Sequence, residues 1–366
     1  MKFCTLATLT LALSGIIIAQ DQPTPILPRY GVIIPAHPID PLAYQKKAAG
    51  GKALPVWGAI FMYHNKPYGF YMIGSDPSAG SATSKIKTVI IPLALKFSNG
   101  KVLDPTQPVQ CRGTESALAL TQQSPMLKKV DWNQGGTDVG NTQYADAFQR
   151  AEWWNFANGN APDYHVLLNP VIARKATIIV PANQGKTVSG RGCGVYGDVE
   201  GLYFDAQIRS LIVQRNLQPN VLPFFLTYDV VEDHGVLGYH STLANTLYAT
   251  ATFNDQNFGP KHAFQDMVPM SHVIAATFND PFETNLTPNW KSSFAPQQGC
   301  NSLLEAGEPL AGLAEPVKVP GNKHQYYVQD LAFELWFAKA PASTSVNGWF
   351  SMYGTFKDSV SNKNCN

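Results

Sequence analysis

The sequence predicts an α+β fold: a β-rich N-terminal module followed by a domain in which strands and helices alternate. Three observations predict it. Residues 56–73 place aromatic and β-branched side chains on both sides of a short polar turn, which is a hairpin pattern. Residues 141–156 and 205–216 carry apolar side chains at helical spacing, with β-type runs between and beyond them. The chain of 366 residues is 45% hydrophobic and 11% aromatic, enough to bury a sizeable core. A prior of about 150 residues per domain allows two domains or one large one.

Taken in order, residues 1–19 read as a secretory signal peptide. Lys2 supplies the positive start, an apolar run follows, and Ala19 marks a cleavage point despite the bulky Ile17 at −3. Residues 21–40 are rich in proline and read as an extended lead-in. After the hairpin at 56–73, which turns at His64-Asn65-Lys66-Pro67, a second one is expected at 88–97, turning at Ser98-Asn99-Gly100. The β-rich module therefore spans 20–130, and the second domain spans 131–366. There Tyr144, Ala147, Phe148, Ala151 and Trp154 share one helical face, and Ile208, Leu211 and Ile212 share another. Strands are expected at 176–180, 222–230 and 247–253, and a final β pair at 331–338 and 348–356. Ala-Thr-Phe-Asn-Asp occurs at both 251–255 and 276–280, but two copies with unlike flanks make no repeat architecture.

Charge excludes several functions. With 27 Lys+Arg against 26 Asp+Glu the net charge is +1, which leaves no basic footprint for nucleic acid. Beyond the signal, no run is long enough to span a bilayer. Of five cysteines, Cys4 leaves with the signal. Cys111, Cys193, Cys300 and Cys365 remain as disulfide candidates with three connectivities, and Cys300 is the expected partner of Cys365. No C-x-x-C pair supports a cysteine-built zinc site. Asn285-Leu286-Thr287 is the glycosylation candidate.

Most catalytic motifs fail on context. Gly192 to Gly197 matches G-x-G-x-x-G but does not open a helix directly, as a dinucleotide site requires, and reads as a loop pinned by Cys193. No G-x-S-x-G elbow occurs. A pair of glycosidase carboxylates needs no fixed spacing and leaves no signature. The informative stretch is Met270-Ser271-His272-Val273-Ile274-Ala275-Ala276-Thr277-Phe278-Asn279-Asp280-Pro281, followed by Cys300 to Pro309 with Glu305 and Glu308. A histidine on a helix with a glutamate from a downstream loop is the skeleton of a zincin metal site. A site of that kind would draw on His272, Glu305 and either His240 or His234, and its metal would be zinc.

This stretch resembles a family of secreted, largely uncharacterised bacterial proteins carrying Ser-His-Glu-x-x-Glu followed by Asp-Pro. Plant extracellular proteins of the EXORDIUM, phosphate-induced type are similar at greater distance. The resemblance extends through Gly140 to Arg150, Gly238-Tyr239-His240, Leu304 to Leu310, Gln329 to Phe333 and Gly348-Trp349-Phe350. It implies a zincin-like domain. The two positions that matter most depart from the pattern: Val273 stands where a general-base glutamate is expected, and Ala276 where a second carboxylate would project. The expectation is a secreted, non-proteolytic protein that binds extracellular polysaccharide or cell-wall material. The alternatives are a metal-dependent hydrolase with a rearranged site and a carbohydrate-active protein.

Overall fold

The computed structural model describes residues 28–32, 39–134, 137–190, 193–256, 258–357 and 365. The expected signal peptide lies outside them. The first part of the chain forms β1 (Arg29–Val32), α1 (Pro41–Ala49), the hairpin β2 (Val56–Tyr63) and β3 (Lys66–Ile73), the long β4 (Thr83–Phe97), and the short β5 (Val102–Leu103). α1 starts where Asp40 accepts hydrogen bonds from the amides of Leu42 and Ala43 and proline occupies the first turn. The β2–β3 hairpin pairs in register from Val56↔Ile73 to Tyr63↔Lys66, as its alternation predicts. β4 and β5 form the second expected hairpin, with β4 beginning five residues earlier than the sequence suggests.

The middle of the chain supplies α2 (Ala117–Gln123), the hairpin β6 (Val130–Gln134) and β7 (Thr137–Thr142), then α3 (Tyr144–Glu152). Next come β8 (His165–Ile172), β9 (Ala176–Val180), β10 (Gly185–Ser189), β11 (Val195–Val199) and α4 (Gly201–Gln214). β12 (Leu222–Tyr228), β13 (Val230–Glu232), β14 (Val236–Leu243) and β15 (Thr246–Phe253) lead to α5 (Val268–Asn279). The last elements are the pairs β16 (Leu286–Trp290) with β17 (Asn301–Leu303) and β18 (Ala314–Lys318) with β19 (Gln325–Gln329), then α6 (Glu334–Phe337).

Eleven strands join one mixed, curled sheet, with the path β10-β11-β13-β14-β15-β12-β4-β5; β1 adds to β14, and β8 and β9 add to β4. The boundary expected near residue 130 does not divide this sheet. β4, from the N-terminal side, pairs in parallel with β12 on one edge and with β8 and then β9 on the other. Pro92 sits where β8 ends and β9 begins, a point at which its missing N–H interrupts least.

β12 and β15 are buried along their whole length because both sheet faces are covered. One face packs on α5. The other packs on α4, whose Phe204, Ile208 and Ile212 meet Leu93, Leu95, Phe225 and Tyr248. Every residue of α5 is buried, so the helix is apolar around most of its circumference rather than along one stripe.

One expected β pair is corrected. Residues 331–338 form a short extended stretch and α6, and the one isolated bridge that joins them to 348–356 is Ala332↔Ser351. The continuous apolar run there fits a short buried helix as well as a strand, and periodicity cannot separate the two. The four cysteines form Cys111–Cys193 and the expected Cys300–Cys365. Their Cα separations of 5.6 and 5.5 Å are ordinary for disulfides. Cys193 thus pins the glycine-rich loop, and Val195–Val199 continues as a strand rather than a helix.

Candidate functional site: a covered histidine on the central helix

α5 begins at Val268 with Pro269 in its first turn and stops at Asp280, before Pro281, where the backbone leaves the helical region. His272 lies one turn into the helix and is 1% exposed. Both ring nitrogens are engaged. Gln329 of β19 donates from Nε2 to the Gly307 carbonyl, which turns its Oε1 toward the histidine. His272 Nδ1 therefore donates to Gln329 Oε1 at 3.0 Å, and Nε2 shares a proton with Glu308 Oε1 at 2.9 Å.

The ring is also covered. Tyr30 of β1 stacks on it with centroids 3.5 Å apart and planes 14° from parallel. The backbone of Gly307 lies so close that a Cβ there would collide with the imidazole. Tyr30 reaches this position because β1 pairs with β14 at Tyr239 and His240.

Around this pair lies a set of buried groups without counter-charges. On β14, Gly238 and His240 face α5, while Tyr239 between them donates to Asp205 of α4. His240 has no hydrogen-bond partner on either nitrogen, and burial, with His272 nearby, pushes its pKa down to about 3. Glu305 is held well above the usual carboxylate range by burial, and then by Glu308, Asp280 and Glu283. Burial also raises Asp280 to about 7, against backbone amides from Thr284 and Asn285 that favour its charge. Glu283 is pushed up to about 9 by burial and by Asp280. The surroundings therefore favour neutral acids and a neutral imidazole over charged ones.

The sequence-derived residues thus separate into two places. His272, Glu305, Glu308 and His240 are neighbours in the interior. His234 instead occupies the turn between β13 and β14, its side chain 81% exposed and its Nδ1 bonded to Asp198. Among the described residues, no group of three or more His, Cys, Asp or Glu side chains is disposed to hold a metal ion. The donors as arranged do not fit zinc: the helix histidine has no free nitrogen, and Val273 and Ala276 offer no carboxylate. Val273 Cγ2 packs against β14 beside Gly238, and Ala276 is buried.

Asn285 is corrected as a glycosylation site. It is fully buried, its Nδ2 donates to the carbonyls of Tyr71 and Asn279, and its Oδ1 accepts from the Tyr71 amide. The folded chain leaves no amide nitrogen for a glycan. Sequence reasoning missed Tyr30 and Gln329, which lie far from His272 in the chain and belong to no recognisable motif. In the sequence, Gln329 stands out only as the start of the C-terminal stretch that carries the resemblance.

No helix among the described residues is long and apolar enough to cross a membrane. No protein-family model matches the chain, and no curated protein or solved structure is significantly similar to it.

Proposed function

We propose that this is a secreted binding protein built on a zincin-like framework whose catalytic helix is degenerate, and that its ligand is extracellular polysaccharide or cell-wall material. The observation that carries this reading is the state of His272. A metal ligand needs a free nitrogen facing the metal and a general base one facing the substrate, and this histidine spends both nitrogens on Gln329 and Glu308 beneath Tyr30. Val273 and Ala276 supply no carboxylate in their place.

The binding surface in this reading is the outer half of the β2–β3 hairpin. Phe61 and Tyr68 stack there at 5.3 Å, Tyr63 stacks on His64 at 4.0 Å, and Ile60 and Met62 are exposed. Aromatic faces presented on an extended hairpin suit the apolar faces of sugar rings. Binding of the purified protein to a panel of insoluble polysaccharides and peptidoglycan tests the proposal. Retention on at least one, reduced by Phe61→Ala combined with Tyr68→Ala, is expected; no retention on any counts against it.

The alternative is a metal-dependent hydrolase. Buried atoms without partners at His240, Glu305 Oε1 and Glu308 Oε2 favour it, because a bound cation would satisfy them. Elemental analysis of protein purified without chelators separates the two. Stoichiometric zinc, with peptide hydrolysis lost in His272→Ala, would overturn the binding reading.

A further inference from the structure

A second buried acidic pair lies at the far end of α5, beside a cavity. α3 ends at Glu152, and the chain continues through Trp153 into a single π-helical turn, Phe156–Asn160, an irregularity that recurs at functional positions. That turn, α6 and Thr344 border a half-open cavity of about 220 Å³ lined by Glu152, Trp153, Asn155, Phe156, Leu335 and Thr344. Its walls are mostly apolar. Its volume is below the ~300–1,000 Å³ typical of drug-sized sites, which restricts it to a small ligand.

The acidic group on this cavity is Glu152, which is 1% exposed. Its Oε1 accepts from the Glu334 amide at 2.6 Å and from Asn279 Nδ2 at 2.7 Å, and its Oε2 accepts from Gln149 Nε2 at 3.1 Å. A carboxylate offers about four lone-pair positions, so one on Oε2 remains for a further donor. The Glu334 carboxyl lies in the same region, 2% exposed, with Oε1 unpartnered. Among the described residues, no lysine, arginine or histidine forms an ion pair with either glutamate. Trp153 is itself a wall of the cavity, 9% exposed, and its Nε1–H also lacks a partner.

Two buried carboxyls without a cation are costly unless a proton or a ligand neutralises them. Burial does push both pKa values up, Glu334 to about 8. An ammonium group in the cavity would be offered the open position on Glu152, while Trp153, whose ring packs on Phe70 and Trp57, and Phe156 supply the apolar wall.

We propose that this cavity is a binding site for a small organic amine, its ammonium group on Glu152 and its apolar body against Trp153, Phe156 and Leu335. An anion would face two carboxyls, and a neutral molecule would leave the pair without its counter-charge.

Calorimetric titration of the full chain with three ligands that share a phenylethyl body tests this: phenethylamine, 2-phenylethanol and 3-phenylpropionate. Saturable binding of the amine is expected, tighter than the alcohol by about tenfold or more, the value of one charge-assisted hydrogen bond. The carboxylate should not bind. Glu152→Gln should abolish the preference for amine over alcohol, and Leu335→Trp, which fills the cavity, should abolish both. Equal affinity for amine and alcohol, or amine binding that survives Leu335→Trp, overturns the proposal, as does the absence of saturable binding. If Glu152→Gln does not fold, the charge series on the native chain and Leu335→Trp decide the matter. Polysaccharide binding through the β2–β3 hairpin is a separate surface and leaves these outcomes unaffected.

Discussion

At position 273 a valine Cγ2 packs beside Gly238, where any added side chain would also meet the carbonyl of Thr250. This contact determines what substitution can do. Val273→Glu would place a carboxylate in a 1%-exposed site against strand backbone, with no donor provided for it. We expect a loss of about 3–5 kcal/mol in urea unfolding, as for other buried unpaired charges, and no gain of peptidase activity. An unchanged midpoint would show that position 273 opens toward the polar cluster after all. The sequence identified His272, Val273 and Ala276 as the decisive positions. It could not reveal that Gln329 and Tyr30 complete the histidine's surroundings, because those contacts come from strand pairings distant in sequence.

The two disulfides are the elements whose effect is easiest to isolate. Cys300–Cys365 closes 65 residues and fastens the last described residue to the segment after β16, where Trp290 packs against Trp336 and Phe337 of α6. Cys365→Ser is expected to lower stability by about 2–5 kcal/mol, since the loop no longer restricts the unfolded chain. Comparison of denaturation midpoints under non-reducing conditions checks it. Hairpins and long helices were legible because their signals are local: β2–β3 from alternation around His64-Asn65, α5 from the Asp280-Pro281 stop at its end. Less local elements were not. β1, β10 and β13 are short strands defined by their neighbours, and α6 is a single turn inside a continuous apolar run.

Among the described residues, the buried acids whose pKa is raised outnumber the one imidazole whose pKa is lowered, and they set the direction of the pH response. In an unfolded chain these carboxyls titrate near 4. In the fold, burial raises Asp330 to about 6, Asp229 and Asp280 to about 7, Glu334 to about 8 and Glu283 to about 9. Folded values above unfolded ones contribute stability at acid pH that is lost as pH rises through 6–9. His240, lowered to about 3, acts oppositely: its contribution is complete above about 6.5 and lost as pH falls. One group against five leaves the acids dominant. Thermal melts should therefore give a higher Tm at pH 5.5 than at pH 8.5, by at least the 2–4 °C that ~1 kcal/mol produces in a large domain. A higher Tm at pH 8.5 would refute it.

The place of β4 in the sheet has a further consequence, for biogenesis. Its run Val89-Ile90-Ile91-Pro92-Leu93-Ala94-Leu95 is apolar, yet its partners β8, β9 and β12 come later in the chain, β12 more than a hundred residues later. At synthesis rates of ~5–20 residues per second, β4 waits on the order of 10 s for β12 to emerge. Until β8 emerges both edges of β4 are open apart from the short pairing with β5, and the β12 edge stays open longer, the kind of segment that pairs with other nascent copies. Pro92, which marks the change of partner in the finished sheet, also interrupts that run while it is unpaired. This fold is thus one that a holding chaperone, keeping the chain extended until the middle strands have emerged, should help to form.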